Sequence, residues 1–206
     1  KRIQVTFKFF IYTFVGSVLM LIGILYLQSK TPDHSFSLTA FNNLELNTKT
    51  QSWVFWLFFL AFAIKMPIFP FHTWQPDTYE QSPTATTMIL SGVMVKMGLL
   101  GLLRWLLPVL PIASYVWGDV VMSLSIIGII YASLIAIRQD DIKRLVAYSS
   151  IAHIGLMCAA IFAENKSGMQ GVLLQMFNHG INIMGLWMIV EIIERRFGTR
   201  KISELG

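Results

Sequence analysis

The sequence has 206 residues, of which 55% are hydrophobic and only 13% are charged, and its mean hydropathy is +0.62. A soluble domain carries about 25% charged residues, so a soluble enzyme or binding module is excluded and a membrane protein is predicted. The single cysteine, Cys158, lies in an apolar run, which excludes an internal disulfide framework. The sequence begins without methionine or a signal-peptide pattern, and we expect it to be an internal piece of a longer protein.

The hydrophobic pattern predicts an all-α, polytopic membrane helix bundle with six spans. Each apolar run is close to the length of about 20 residues that crosses roughly 30 Å of hydrocarbon. The spans cover about residues 9–27, 53–79, 84–107, 112–137, 142–163 and 169–193. The polar stretch between the first two spans contains Pro32 and Asp33 and is typical of an external loop.

The second span is predicted to be a broken helix. It contains Pro67, Pro70 and Pro76 within ten residues, and a proline removes a backbone donor and clashes with the carbonyl four residues back. Broken helices at membrane depth are tolerated where they are buried in protein or line a hydrated cavity. The break therefore indicates a functional region rather than a simple lipid-facing helix.

The basic residues separate by membrane side, as the positive-inside rule predicts. Ten lie on the side of the N-terminus, namely Lys1, Arg2, Lys8, Arg138, Lys143, Arg144, Arg195, Arg196, Arg200 and Lys201. Four lie on the opposite side, namely Lys30, Lys49, Arg104 and Lys166. This distribution places both ends of the piece in the cytoplasm. The formal net charge of +5 is therefore explained by the orientation of the chain in the membrane, and no nucleic-acid partner is predicted.

Four ionisable side chains are predicted to lie near the middle of the bilayer. Lys65 and Lys96 are each about twelve residues into a span, which is roughly 18 Å at 1.5 Å per residue, and His153 and His179 are at similar depths. A charged side chain left in lipid costs at least about 2.5 kcal/mol. The pattern favours one hydrated, proton-conducting row of lysines and histidines.

Simpler interpretations of the same residues stay open. The two lysines fit a bracing role, and His153 and His179 each fit a hydrogen-bonded packing contact between helices. His72, inside the break, fits either a cap for freed carbonyls or an auxiliary proton carrier. Asp77 and Glu80 fit a solvated helix end. No phosphate loop, metal-ligand spacing or nucleophile motif is present, so no metal, cofactor or redox catalytic residue is predicted in this chain.

Several segments resemble the antiporter-like, proton-translocating subunits of respiratory complex I. The matching segments are AIKMP at 63–67, FHTWQPD at 71–77, SPTA at 82–85, DIKRLVAYSS at 141–150, HIG at 153–155 and FNHG at 177–180. The resemblance covers the whole chain, as the sixth to eleventh of about fourteen spans. It implies that Lys65, Lys96, His153 and His179 carry protons.

The resemblance also implies an organisation and a setting. Residues 1–206 would be a single membrane domain, with 1–107 ending a first inverted repeat and 112–206 beginning a second. The chain would be a subunit of an NADH:quinone oxidoreductase in a bacterial inner membrane. NADH, FMN, iron–sulfur clusters and quinone would bind partner subunits, and this chain would contact other membrane subunits, lipid, protons and internal water.

Two departures limit what the resemblance transfers. Tyr79 and Gln75 stand where many family members have histidine and leucine, so no function is assigned to Tyr79. The family's glutamate partner of Lys65 and its exit lysine would lie outside this piece. Two other functions remain open: a large subunit of a cation/proton antiporter or membrane-bound hydrogenase, and a membrane anchor or scaffold in which the lysines only brace helices.

Overall fold

The computed structural model describes residues 2–205, and in that part of the chain long helices are joined by short connections with no β-strand. In chain order the helices are α1 (Arg2–Lys30), α2 (Leu38–Asn42), α3 (Thr48–Lys65), α4 (Trp74–Gln81), α5 (Thr84–Val109), α6 (Pro111–Ile137), α7 (Ile142–Phe162) and α8 (Lys166–Phe197). The predicted all-α, polytopic class is confirmed.

Five helices, α1, α5, α6, α7 and α8, are long and apolar enough to cross a membrane. The other predicted span is shared between α3, whose first turn is polar, and the short α4 beyond the proline-rich connection. The count of six spans is therefore approximate, since one of them is made of two helices. Large apolar side chains such as Phe7, Phe10 and Phe14 of α1 are exposed, as expected for a surface that meets lipid or other protein.

Local sequence sets the helix ends. The side chains of Asn47, Asp141 and Asn165 accept bonds from backbone N–H groups in the first turns of α3, α7 and α8, which satisfies donors that a helix start leaves unpaired. Gly198 ends α8 with a φ of +69°, a conformation that glycine adopts without a steric penalty. The capping residues thus fix where the three helices begin or end.

Helix α3 occupies the centre of the bundle, packed against α1, α5 and α6. Its phenylalanines Phe55, Phe58, Phe59 and Phe62 are buried and form two ring pairs along the helix, Phe55 with Phe59 and Phe58 with Phe62. Helix α7 packs against α4, α6 and α8, and α8 packs against the first half of α5. The broken helix and the two histidine-bearing helices are therefore neighbours.

Gln51 of α3 caps a second helix. Its side-chain oxygen accepts bonds from the backbone N–H groups of Ile112 and Ala113 at 3.1 and 3.3 Å, at the start of α6. Its amide nitrogen donates to the Leu46 carbonyl at 3.2 Å, and the residue is buried. One glutamine thus joins the loop, α3 and α6.

Replacing Gln51 with leucine is expected to destabilise the protein by about 1–3 kcal/mol, because one buried and one part-buried N–H group lose their acceptor. Thermal unfolding of the detergent-purified, full-length protein measures this as a lower melting temperature. The exposed Gln170 provides the matched control, since Gln170→Leu removes no bond of this kind. Equal melting temperatures for the two variants would contradict the capping role.

Candidate functional site

The break between α3 and α4 spans residues 66–73. Pro67 and Pro70 lie in this connection, whereas Pro76 lies in the first turn of α4, where a missing N–H costs no helix bond. The Trp74 indole donates to the Ile64 carbonyl at 3.0 Å, and the Ile68 N–H donates to the Ala63 carbonyl at 3.2 Å. Carbonyl groups freed by the break are thus satisfied within the protein.

Lys65 is the last residue of α3 and is half-buried. It lines a mostly apolar groove of about 310 Å³ between α1, α3 and α5, together with Met97, Leu100 and Arg104. Within residues 2–205, none of the ion pairs involves Lys65. The expectation that its carboxylate partner lies elsewhere stays a prediction.

Lys96 is buried in the middle of α5, as the thirteenth of 26 residues, and only 8% of it is exposed. Its ammonium donates to the Ser91 carbonyl of the same helix. Residues Leu90–Met94 form a π-helical turn just before it, and such turns are frequent at functional sites. A backbone carbonyl, rather than a carboxylate, is therefore the partner that the structure gives this lysine.

The two histidines meet between α7 and α8. The rings of His153 and His179 are 5.4 Å apart, centroid to centroid. His179 is buried, whereas His153 is exposed on the bundle face, with its Nδ1 2.8 Å from the Ser149 carbonyl. Neither ring nitrogen of His179 has a hydrogen-bond partner within the described residues.

Lys96 lies near these histidines. Both Lys96 and His153 are close enough to His179 to interact with it electrostatically. The three side chains come from α5, α7 and α8, and we refer to Lys96, His179 and His153 as the Lys–His row. Three of the four predicted midplane residues are thus brought together.

Lys65 faces a groove next to the row rather than the row itself. Met97 and Leu100 line both its groove and a second groove of about 430 Å³ that contains Lys96. The backbones approach closely here, since a Cβ on Gly98 would lie 2.8 Å from Met66 Cβ and 2.9 Å from Met66 N. The two lysines therefore lie on tightly packed helices and face adjoining grooves.

His72 is placed apart from the row. It is buried in the break, with its ring 5.9 Å from that of Phe69 and 5.2 Å from that of Tyr131 on α6. Its Nδ1 finds no hydrogen-bond partner in the part of the chain that the structure describes. These contacts suit a packing residue of the break, and an auxiliary role in proton transfer stays a prediction.

Two carboxylates that sequence reasoning treated as a solvated helix end are in fact held by cations. Asp77 is 2.8 Å from Lys8 and 3.2 Å from Arg144, and Glu80 is 2.8 Å from Arg144 and 3.3 Å from Arg200. The spacing of three residues between Asp77 and Glu80 indicated that the two carboxylates share one face of the helix. Their partners are far away in sequence, so no local pattern could reveal them.

The end of α8 carries one ion pair within the helix and one ion pair to the neighbouring helix α7. Glu191 pairs with Arg195, one helical turn further along α8, at 2.6 Å. Glu194 pairs with Lys143 of α7 at 2.6 Å.

No metal centre is indicated in the described chain, where no three potential His, Cys, Asp or Glu ligands converge.

Comparisons with known proteins agree on a family. The family described as "NADH:quinone oxidoreductase/Mrp antiporter, TM" matches residues 1–206. NADH-quinone oxidoreductase subunit M of Rickettsia bellii is 46% identical over 210 residues, which cover 100% of this chain and 42% of that relative. This chain therefore spans less than half the length of that relative.

Solved structures share the fold. Respiratory complex I from Thermus thermophilus with bound NADH contains a chain that matches with a TM-score of 0.90 and 28% identity, over 97% of this chain and 43% of that one. The Mrp complex from Dietzia sp. matches with a TM-score of 0.87 and 18% identity, over 97% of this chain and 37% of that one. The second likeness concerns the fold alone.

Proposed function

The chain belongs to the NADH:quinone oxidoreductase/Mrp antiporter membrane family, and we propose that it forms part of a proton-translocating subunit of an NADH–quinone oxidoreductase. It is a multi-pass membrane protein. Relatives over its whole length carry the name of subunit M of that enzyme. In this proposal the chain moves protons, while NADH, FMN, iron–sulfur clusters and quinone bind partner subunits.

The Lys–His row is the observation that carries the proposal. A lysine in the middle of one span, a buried histidine and a second histidine 5.4 Å further on come from three different helices. A buried lysine changes its protonation state when a counter-charge approaches or leaves it. Histidine titrates near neutrality and suits a relay position. The row therefore has the chemistry of a proton path along the middle of the membrane.

In this proposal, Lys65 is the residue that switches between holding and releasing a proton. It ends α3 at the break, and it lies one residue from Met66, which contacts the helix that carries Lys96. Its groove is the place where a carboxylate from the rest of the subunit would approach. Moving that carboxylate would change the proton affinity of Lys65 and, through it, the charge next to the row.

The finer assignments follow from the same proposal. Residues 1–107 would end one inverted repeat and residues 112–206 would begin the next, an arrangement that places function at the bilayer midplane. Both ends of this piece would face the cytoplasm of a bacterial cell, and other membrane subunits of the complex would cover its exposed apolar faces. The alternatives, a cation/proton antiporter or hydrogenase subunit and a passive scaffold, share the fold but not the names of the closely matching relatives.

Co-purification tests the proposal directly. The full-length subunit, tagged and extracted in mild detergent, is expected to bring down an NADH-oxidising module, which mass spectrometry and NADH oxidation with an artificial acceptor detect. An untagged strain provides the control. Recovery of cation-antiporter chains without any NADH-oxidising module would overturn the proposal in favour of an antiporter.

A further inference from the structure

Helix α4 is not held in place by a continuous helix. The connection 66–73 separates it from α3, and it has only eight residues, Trp74–Gln81. A helix of this length is about 12 Å long at 1.5 Å per residue and is marginal by itself. Its position therefore depends on its contacts with the rest of the fold, including those at its two ends.

The first end of α4 is tied to the residue next to Lys65. The Trp74 indole, fully buried, donates to the Ile64 carbonyl at 3.0 Å. A displacement of α4 along or across its axis would break this bond or move Ile64, and Lys65 follows Ile64 in the chain. The start of α4 thus sets the backbone position of the lysine at the break.

The second end of α4 is tied to a segment that follows α8. Arg200 is 2.6 Å from the Asp141 carboxylate through Nε and 3.3 Å from the Glu80 carboxylate through a terminal nitrogen. A terminal nitrogen of Arg200 also donates to the Glu80 backbone carbonyl at 3.3 Å. One planar guanidinium thus joins the last turn of α4 to the start of α7, and its fixed fork of donors suits both carboxylates.

The backbone around Arg200 is itself fixed. The Ile142 N–H donates to the Arg200 carbonyl at 3.0 Å, and the Ile202 N–H donates to the Asp140 carbonyl at 2.8 Å. The Ser203 N–H and hydroxyl both donate to the Asp140 carboxylate at 2.9 Å, which lowers the pKa of that carboxyl from its ordinary value. Residues 199–205, which we call the strap, are therefore docked on the turn between α6 and α7.

We propose that Arg200 is a positioning residue for proton translocation, which holds α4 from the strap and thereby sets the position of Lys65 at the break. The inference rests on the proposed function for its effect on protons, but the contacts are independent of it. Lys8 of α1 holds Asp77, and Arg144 of α7 holds both Asp77 and Glu80. Arg200 is distinct because it connects α4 to a segment outside the membrane spans, so a change at the strap reaches the break.

The test uses the complete complex with Arg200→Gln, Arg200→Lys and the control Arg196→Gln, which changes an exposed arginine four residues away. Inverted membrane vesicles give the protons taken up per NADH oxidised, and hydrogen exchange reports the backbone of residues 66–81. For Arg200→Gln we expect uptake per NADH to fall roughly three- to tenfold, because small displacements of reacting groups are costly, and exchange in residues 66–81 to become faster.

Arg200→Lys keeps the charge without the fork, and we expect an intermediate loss. Arg196→Gln should leave both readouts at the parental level. If Arg200→Gln does not assemble, Arg200→Lys decides by the same two readouts. The inference would be overturned if proton uptake and the exchange of residues 66–81 both stayed at the parental level. Faster exchange confined to residues 138–142 and 199–205 would show that Arg200 only holds the strap.

The failure of the proposed function would look different. Absence of NADH-driven uptake in the parental complex would contradict the proposed function. Hydrogen exchange in residues 66–81 would still decide whether Arg200 holds α4. The two measurements therefore separate the positioning role from the proton-pumping role.

Discussion

Replacing Lys96 with methionine is expected to reduce NADH-driven proton uptake by the assembled complex by about 100-fold or more, because proton-transfer groups contribute about 10²–10⁴-fold. Lys96 is the member of the Lys–His row that lies on α5, and only 8% of the residue is exposed. Methionine has a similar length and keeps the packing, so only the ionisable group is lost.

Stability distinguishes a proton carrier from a brace. A lysine in the membrane interior costs about 2.5–3.5 kcal/mol on insertion scales, so Lys96→Met is expected to leave the melting temperature unchanged or raised. A bracing lysine would instead lose stability together with its bond to the Ser91 carbonyl. Proton uptake in inverted vesicles and thermal unfolding of the purified complex measure the two effects.

Lys166 provides the control for this variant. It is exposed at the start of α8, outside the row, and Lys166→Met should keep parental uptake. NADH oxidation with an artificial acceptor verifies assembly in each case. An assembled Lys96→Met complex with parental uptake would remove Lys96 from the proton path.

Replacing Gly98 with alanine is expected to destabilise the protein by about 1–3 kcal/mol through overpacking and to disturb the break. The added Cβ would lie 2.8 Å from Met66 Cβ, 2.9 Å from Met66 N and 3.0 Å from the Phe62 carbonyl oxygen. Two of these atoms are backbone, which cannot move aside as a flexible side chain does. The end of α3, with Lys65, must shift to make room.

Gly171→Ala is the matched control, because a Cβ on Gly171 of α8 meets nothing within 4 Å in the described chain. Alanine is favoured over glycine inside a helix by about 1 kcal/mol, so this variant should be neutral or more stable. The melting temperature of the purified complex measures both variants. A Gly98→Ala complex as stable as the Gly171→Ala complex would contradict the close contact between α3 and α5.

Much of the fold could be predicted from the sequence because lipid imposes strong one-dimensional rules. Apolar length located the spans; the span predicted from residue 142 to 163 is helix α7, Ile142–Phe162, whereas α1 begins at Arg2, seven residues before its predicted start. The prolines Pro67 and Pro70 located the break in the second span. Depth counting placed Lys96 and His153 in the middle of their helices, where the structure has them.

The arrangement of the site depended on helix rotation and packing, which hydropathy does not encode. Counting along the helices gave four residues at one depth, whereas the structure joins Lys96, His179 and His153 and turns Lys65 into a neighbouring groove. The same limit applied to Asp77, which a local pattern assigned to solvent and which the fold pairs with Lys8 and Arg144.

The sequence by itself therefore determined the membrane class, the position of the spans, the break and the depth of the ionisable residues, because each follows from the length and hydrophobicity of a segment. Only the tertiary structure decided that Lys65 and Lys96 face different grooves and that Arg200 holds α4 through Glu80. These contacts join residues whose neighbours are set by helix rotation, crossing and loop docking, and the free energy of those arrangements is shared over many distant side chains.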